Sequence, residues 1–112
     1  MTDENTEVAV ARSTDRDRYD VTAAGSLAGF TEFVDQGEQR IFFHTEIGEE
    51  FGGRGLGGTL VGRALADTRE AGLRVVPVCP FVAKYLKNHH EFDDLVDAVT
   101  PNALAAVRER TR

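Results

Sequence analysis

The stretch Phe51-Gly52-Gly53-Arg54-Gly55-Leu56-Gly57-Gly58-Thr59-Leu60 is the part of the chain whose residue types point most directly to chemistry. Six glycines fall between positions 52 and 62. Glycine lets a backbone turn tightly and approach a ligand with no side chain in the way. Where such a turn enters a helix, the free N–H groups of the first turn and the positive end of the dipole form an anion site suited to phosphate. Each interior glycine costs a helix about 1 kcal/mol relative to alanine. A chain that keeps so many has a use for close approach. The backbone that would cradle a phosphate runs from Gly53 through Arg54, Gly55, Leu56 and Gly57 to Gly58.

The kind of phosphate can be narrowed. Gly53, Gly55 and Gly58 match G-x-G-x-x-G, but a dinucleotide fold also needs a carboxylate about 20 residues further on. That region reads Leu73-Arg74-Val75-Val76, and the chain is too short for a second, substrate-binding domain. No Gly-Lys-Ser/Thr follows the glycines, so a Walker loop fails as well. His89-His90 invites a metal reading, but adjacent helical residues point about 100° apart and the i, i+4 pair of zinc helices is missing. No metal is expected.

The elements that position the glycine turn follow from hydrophobic periodicity. Val8 to Ala11 is a short strand candidate, Tyr19 to Ala24 alternates weakly, and Leu27 to Val34 is a further strand-like run. Asp35-Gln36-Gly37-Glu38 is a hairpin turn. Arg40 to Ile47 is the strongest strand, with Ile41, Phe43, Thr45 and Ile47 on one face and Phe42, His44 and Glu46 on the other. From Arg54 to Gly72 the period becomes helical, with Leu56, Leu60, Val61, Ala64 and Leu65 as the apolar stripe. Gly55, Gly58 and Gly62 are expected on one face of that helix. Gly72 suits a helix C-terminus. Leu73 to Cys79 is a valine-rich strand, Pro80 opens a helix through Asn88, and Pro101 opens a last one with Ala103, Leu104 and Val107 apolar. The pattern is antiparallel strands, then helix, strand, helix.

Composition bounds the rest. A chain of 112 residues makes one domain, and 41% apolar with 29% charged residues is ordinary for a soluble protein. Nineteen acidic against thirteen basic residues give a net charge of −6, the wrong sign for non-specific nucleic-acid binding. A single cysteine, Cys79, excludes an intramolecular disulfide and a cysteine-rich zinc site. Met1 to Glu7 is acidic and polar, unlike a secretory signal, and no run approaches the roughly 20 apolar residues that span a bilayer. A cytoplasmic protein with no membrane partner is expected, with residues 1–6 disordered, a domain over 7–96 and a helical extension over 97–112.

At this point the residues resemble a family. A strand followed by Arg54-Gly55-Leu56-Gly57 and a helix is similar to the pyrophosphate loop of GNAT N-acetyltransferases, Arg/Gln-x-x-Gly-x-Gly/Ala. Gly55 and Gly57 match its glycines, while Gly52 stands at the usual Arg/Gln position. Phe43-His44-Thr45-Glu46-Ile47, the glycine loop, Val76-Pro77-Val78-Cys79-Pro80-Phe81-Val82 with Tyr85, and His89-His90-Glu91-Phe92-Asp93-Asp94-Leu95-Val96 together resemble the small YjdJ-like branch of that superfamily. The likeness covers about residues 7–96.

The resemblance implies an α/β (α+β) fold, a mixed, mostly antiparallel sheet flanked by two main helices plus the C-terminal one. It implies acetyl-CoA as co-substrate and an unidentified amine, small molecule or protein lysine, as acceptor. In such folds the strands before and after the glycine loop splay apart, and the pantetheine arm enters the gap. Pro77, which lacks an N–H, fits a strand that leaves its ladder. His44 and Cys79 become the catalytic candidates. His44 could accept the amine proton, since imidazole titrates near neutrality. Cys79 could carry the acetyl group or simply line its pocket. Glu46 is an alternative base. Tyr85 falls where many of these enzymes place a tyrosine that protonates the leaving thiolate. Lys84, Lys87, Arg54 and Arg63 could meet CoA phosphates. The rival to an acyltransferase is a CoA-binding or protein-interaction module that keeps the fold without turnover.

Overall fold

A computed structural model describes residues 7–13, 15–52 and 55–112. Gly53, Arg54 and the expected disordered residues 1–6 lie outside them. Five strands form one sheet in sequence order: β1 (Val8–Ser13), β2 (Arg18–Ala23), β3 (Ser26–Gln36), β4 (Gln39–Ile47) and β5 (Arg74–Pro77). The first three pairings are antiparallel and β4–β5 is parallel. Helix α1 (Leu56–Glu70) provides the crossover to β5, as a parallel connection requires. Helices α2 (Pro80–Lys87) and α3 (Pro101–Thr111) follow.

The turns are what their residues allow. Ala24 and Gly25 both take positive φ (53° and 84°), the geometry of a two-residue hairpin whose twist matches the strands. Gly72, at φ 76°, ends α1 with its neighbour's N–H, that of Leu73, bonded to Thr68 C=O. Thr100 caps α3 by accepting from Ala103 N–H, with Pro101 in the first turn.

Each face of the sheet has its own core. Tyr19, Val21, Phe33, Phe42 and Val75 pack under Leu56, Leu60, Val61, Ala64 and Leu65 of α1, all of them buried. On the opposite face Ile41 and Val76 pack against Ala103, with Val34, Ala106 and Val107 around them. The sheet-facing stripe of α3 is therefore Ala103, which is buried, with Ala106 and Val107 partly buried beside it. Leu104, expected within it, is 40% exposed.

One irregularity changes the expected side-chain pattern. Phe33 pairs with Phe42, but Glu32 pairs with His44, so Phe43 is an extra residue in β4. A bulge of this kind resets the two-residue alternation. The expectation that Ile41, Phe43, Thr45 and Ile47 share a face is thus corrected. Ile41 faces α3, whereas Thr45 and Ile47 lie on the α1 side with Phe42.

Beneath α1 the sheet carries a buried polar network. Arg40 forms a two-pronged pair with Asp35 at 2.8 and 2.9 Å and donates to the Tyr19 hydroxyl at 2.7 Å. Tyr19 in turn donates to Asp67 of α1 at 2.5 Å. Burial, then the bond to Asp67, push the Tyr19 phenol from 10.0 up to about 12. The fold holds the neutral phenol, so its contribution is complete below pH 10 and is lost as pH rises towards 12. Urea unfolding between pH 8 and 12 should show stability falling over that window. Tyr19→Phe should be less stable at pH 8 by about 1–3 kcal/mol and show a flatter decline.

Candidate active site

The ladder between β4 and β5 is short. It runs from Gln39–Arg74 to Phe42–Pro77 and closes with Cys79 N–H donating to Phe42 C=O at 2.9 Å. β4 continues from Phe43 to Ile47 without β5 beside it. Pro77 stands at the point of departure, where a missing N–H suits a strand leaving its partner. The backbone edge of β4 is therefore open along one flank of a gap.

The glycine turn closes the same end of the sheet. Gly55 has φ 73°, the left-handed region that glycine alone adopts freely, and serves as N-cap of α1 with no side-chain cap. It precedes the helix and so does not share a helical face with Gly58 and Gly62. Thr59 N–H bonds to Gly55 C=O at 3.1 Å, so the N–H groups of Leu56, Gly57 and Gly58 have no helical acceptor. No acidic residue sits in this first turn to occupy the positive end of the dipole. A cavity of about 300 Å³ opens here, with Gly55, Leu56, Gly57, Gly58, Ile47 and Phe81 in its walls.

Two other glycines serve packing. A Cβ on Gly57 would collide with Cζ of Phe81, and one on Gly62 would lie 2.6 Å from the Tyr85 hydroxyl. Their close approach is to α2, a neighbour that sequence reasoning did not identify. Tyr85 stacks face to face on His89, with ring centroids 3.7 Å apart. Burial, then the charge of Glu91, push its phenol upward. This is the environment of a helix-packing aromatic. Lys84 shares with Gly58 and Tyr85 a cavity of about 230 Å³, and Arg63 lines a neighbouring one of about 420 Å³. Lys87 belongs to a separate hollow beside Pro77 and His90.

The two catalytic candidates flank the gap from opposite faces. Cys79, 3% exposed, lies on the α1 side, and its thiol donates to Thr45 Oγ1 at 3.3 Å. Thr45 is also 2.8 Å from Thr31 Oγ1. His44, one residue from Thr45, points to the other face. Its Nε2 is 2.9 Å from Glu46 Oε2 and its ring packs 6.0 Å from that of Phe30, with side-chain exposure of 47%. The structure does not bring His44 and Cys79 together. The alternation reset at Phe43 gives Cys79 a hydroxyl for a neighbour, and it pairs His44 with the other candidate base, Glu46. Thr45 and Thr31 were missed because a threonine in a strand looks like an ordinary strand former.

His89 and His90 also part company. His89 Nδ1 meets Tyr85 C=O at 2.8 Å, and His90 meets Asp93 at 3.2 Å. Among the described residues no group of three His, Cys, Asp or Glu side chains could hold a metal ion. None of their helices is long and apolar enough to cross a membrane.

A family profile described as GCN5-related N-acetyl-transferase matches residues 18–95. The solution structure of a GCN5-like protein from Staphylococcus aureus, described as a candidate N-acetyltransferase, superposes with a TM-score of 0.63 at 17% identity. That alignment covers 87% of this chain and 93% of the other, which establishes a shared fold. None of the curated proteins compared matches the sequence.

The left-handed conformation of Gly55 has a separable energetic signature. Among the described residues no atom beyond its chain neighbours lies within 4 Å of where its Cβ would be, so Gly55→Ala meets backbone strain of about 1–2 kcal/mol. Gly55→Asn should recover much of that loss. Urea midpoints for the two variants check this.

Proposed function

The chain belongs to the GCN5-related N-acetyltransferase family, and from that premise we propose that it is an acetyl-CoA-dependent N-acetyltransferase of the small YjdJ-like branch, acting on an amine in the cytoplasm. The observation that carries the reading is one juxtaposition. The ladder that ends at Phe42–Pro77 leaves an open β4 edge beside the uncapped, acid-free start of α1 at Gly55. An open strand edge suits the amide-bearing pantetheine arm, and a bare helix N-terminus suits the pyrophosphate. The residues present fit CoA at both ends.

Each residue's role follows from its side of the gap. The backbone N–H groups from Gly55 to Gly58, with Gly53 and Arg54 before them, hold the pyrophosphate. Phe81 and Ile47 wall its cavity. Cys79 lines the acetyl pocket from the α1 face. His44, held by Glu46, takes the amine proton from the opposite and more open face. Transfer is direct. The Cys79 thiol gives its proton to the Thr45 hydroxyl, and among the described residues no basic side chain is hydrogen-bonded to it. Holding the amine and thioester in reacting geometry supplies much of the rate.

Addition of CoA at a hundredfold excess over its Kd should stabilise the fold by about 2.7 kcal/mol and shift the Gly55 and Gly57 amide resonances. Gly55→Val should weaken that binding while the fold persists. Amide spectra that stay unchanged at millimolar CoA would reject the assignment. CoA binding without thiol release from acetyl-CoA across an amine panel would instead favour the non-catalytic module.

The route of transfer has its own test. Cys79→Ser should retain most activity and His44→Ala lose most of it, about 10²–10⁴-fold. A stoichiometric, hydroxylamine-labile acetyl group on Cys79, competent to pass to an amine, would reverse the preference for direct transfer.

A further inference from the structure

Where β4 and β5 part, three side chains form a hydrogen-bonded chain whose protons can be counted. Thr31 of β3 is fully buried and Cys79 nearly so, while Thr45 between them is half-buried. A hydroxyl has one donor and two acceptor lone pairs, and a thiol has one weak donor and a weakly accepting sulfur. The Cys79 thiol donates to Thr45 Oγ1 at 3.3 Å. The Thr31 hydroxyl has one side-chain partner, Thr45 Oγ1 at 2.8 Å. A buried donor left without an acceptor bears the full loss of its hydration. Thr31 therefore donates to Thr45. Were the direction reversed, the Thr31 proton would be stranded in the core.

Thr45 Oγ1 then accepts twice, and both lone pairs are engaged. With the Cys79 thiol donating, the Thr45 hydroxyl's own proton meets no oxygen or nitrogen acceptor among the described residues. Thr45 is also the one member of the chain with access to the surface, beside the gap beyond Phe42 and Pro77. We infer that the Thr45 hydroxyl is a catalytic donor, held in reserve by Thr31 and Cys79, that hydrogen-bonds the carbonyl oxygen of the thioester being attacked. This rests on the acyl-transfer reading above.

In the step it serves, the amine nitrogen bonds to the carbonyl carbon and the C=O π pair moves onto oxygen, where Thr45 donates. As that pair returns, the C–S bond breaks and its electrons leave on sulfur. The nitrogen gives its proton to the base, and the sulfur takes one up, so the products are an amide and a free thiol. A donor aimed where charge develops acts on turnover more than on binding. Cys79 acts one bond further back, as a positioning residue that keeps Thr45 from using its proton on the protein.

Thr45→Val should lower kcat about 10²–10³-fold with the KM for acetyl-CoA nearly unchanged, and Thr45→Ser should restore most of the rate. Thr45→Val alone strands the Thr31 hydroxyl, so the double variant Thr31→Val/Thr45→Val provides a folded comparison with neither hydroxyl. The second readout is independent of turnover. The carbonyl stretch of ¹³C-labelled acetyl-CoA should shift to lower frequency on binding to the wild-type protein and stay near its free value on the double variant. Equal carbonyl frequencies in the two, or a Thr45→Val kcat within threefold of wild type, would overturn the assignment while leaving acyl transfer standing. A wild-type protein that neither binds acetyl-CoA nor releases thiol would remove both.

Discussion

A strand can show only every second side chain to one side, and in β4 a single extra residue, Phe43, decides which ones they are. Before it, Phe42 meets α1 and Ile41 meets α3. After it, Thr45 and Ile47 take the α1 side and His44 and Glu46 the other. Without the bulge, His44 would stand beside Cys79 and Thr45 would face away. With it, a proton acceptor and a hydroxyl–thiol chain are divided between the two sides of one opening. The division follows from backbone geometry and needs no change of residue type.

The rest of the sheet holds that strand in place. Arg40 sits two residues before Phe42 and is tied to Asp35, Tyr19 and, through Tyr19, to α1. A buried guanidinium is tolerated because both prongs and a third N–H have partners. On the outer face Arg18 of β2, paired at 2.8 Å with Asp20 of its own strand, lies 4.5 Å above the Phe30 ring of β3, so these two strands are also tied together near His44. The far half of that face is covered by α3, which leaves the end near His44 open.

Much of this was legible. Alternation and helical periodicity located every strand and long helix, because burying one face is what each element is for. The glycine turn between the strongest strand and the strongest helix was legible for the same reason. The bulge was not, since phenylalanine suits a strand whether or not it is paired. The glycines were legible as a group but not by task. Gly55 is needed for its backbone angle, whereas Gly57 and Gly62 make room for Phe81 and Tyr85. That distinction depends on α2, which is remote in sequence. The α3 stripe was misjudged by one position at Leu104, since Ala106 faces the sheet and alanine is a weak apolar signal.

The sequential order of the strands bears on how the molecule assembles. β1 to β4 form a meander in which each strand finds its partner across a short turn, so these contacts are local and quick to form. β5 is different. It pairs only after the chain has travelled through the glycine turn and all of α1, and closing that long loop is the costlier step. Its reward is a parallel ladder that stops at Pro77. The gap therefore lies along the boundary where local contact gives way to distant contact. A short ladder at that late-formed seam leaves backbone groups available, whereas the meander consumes its own.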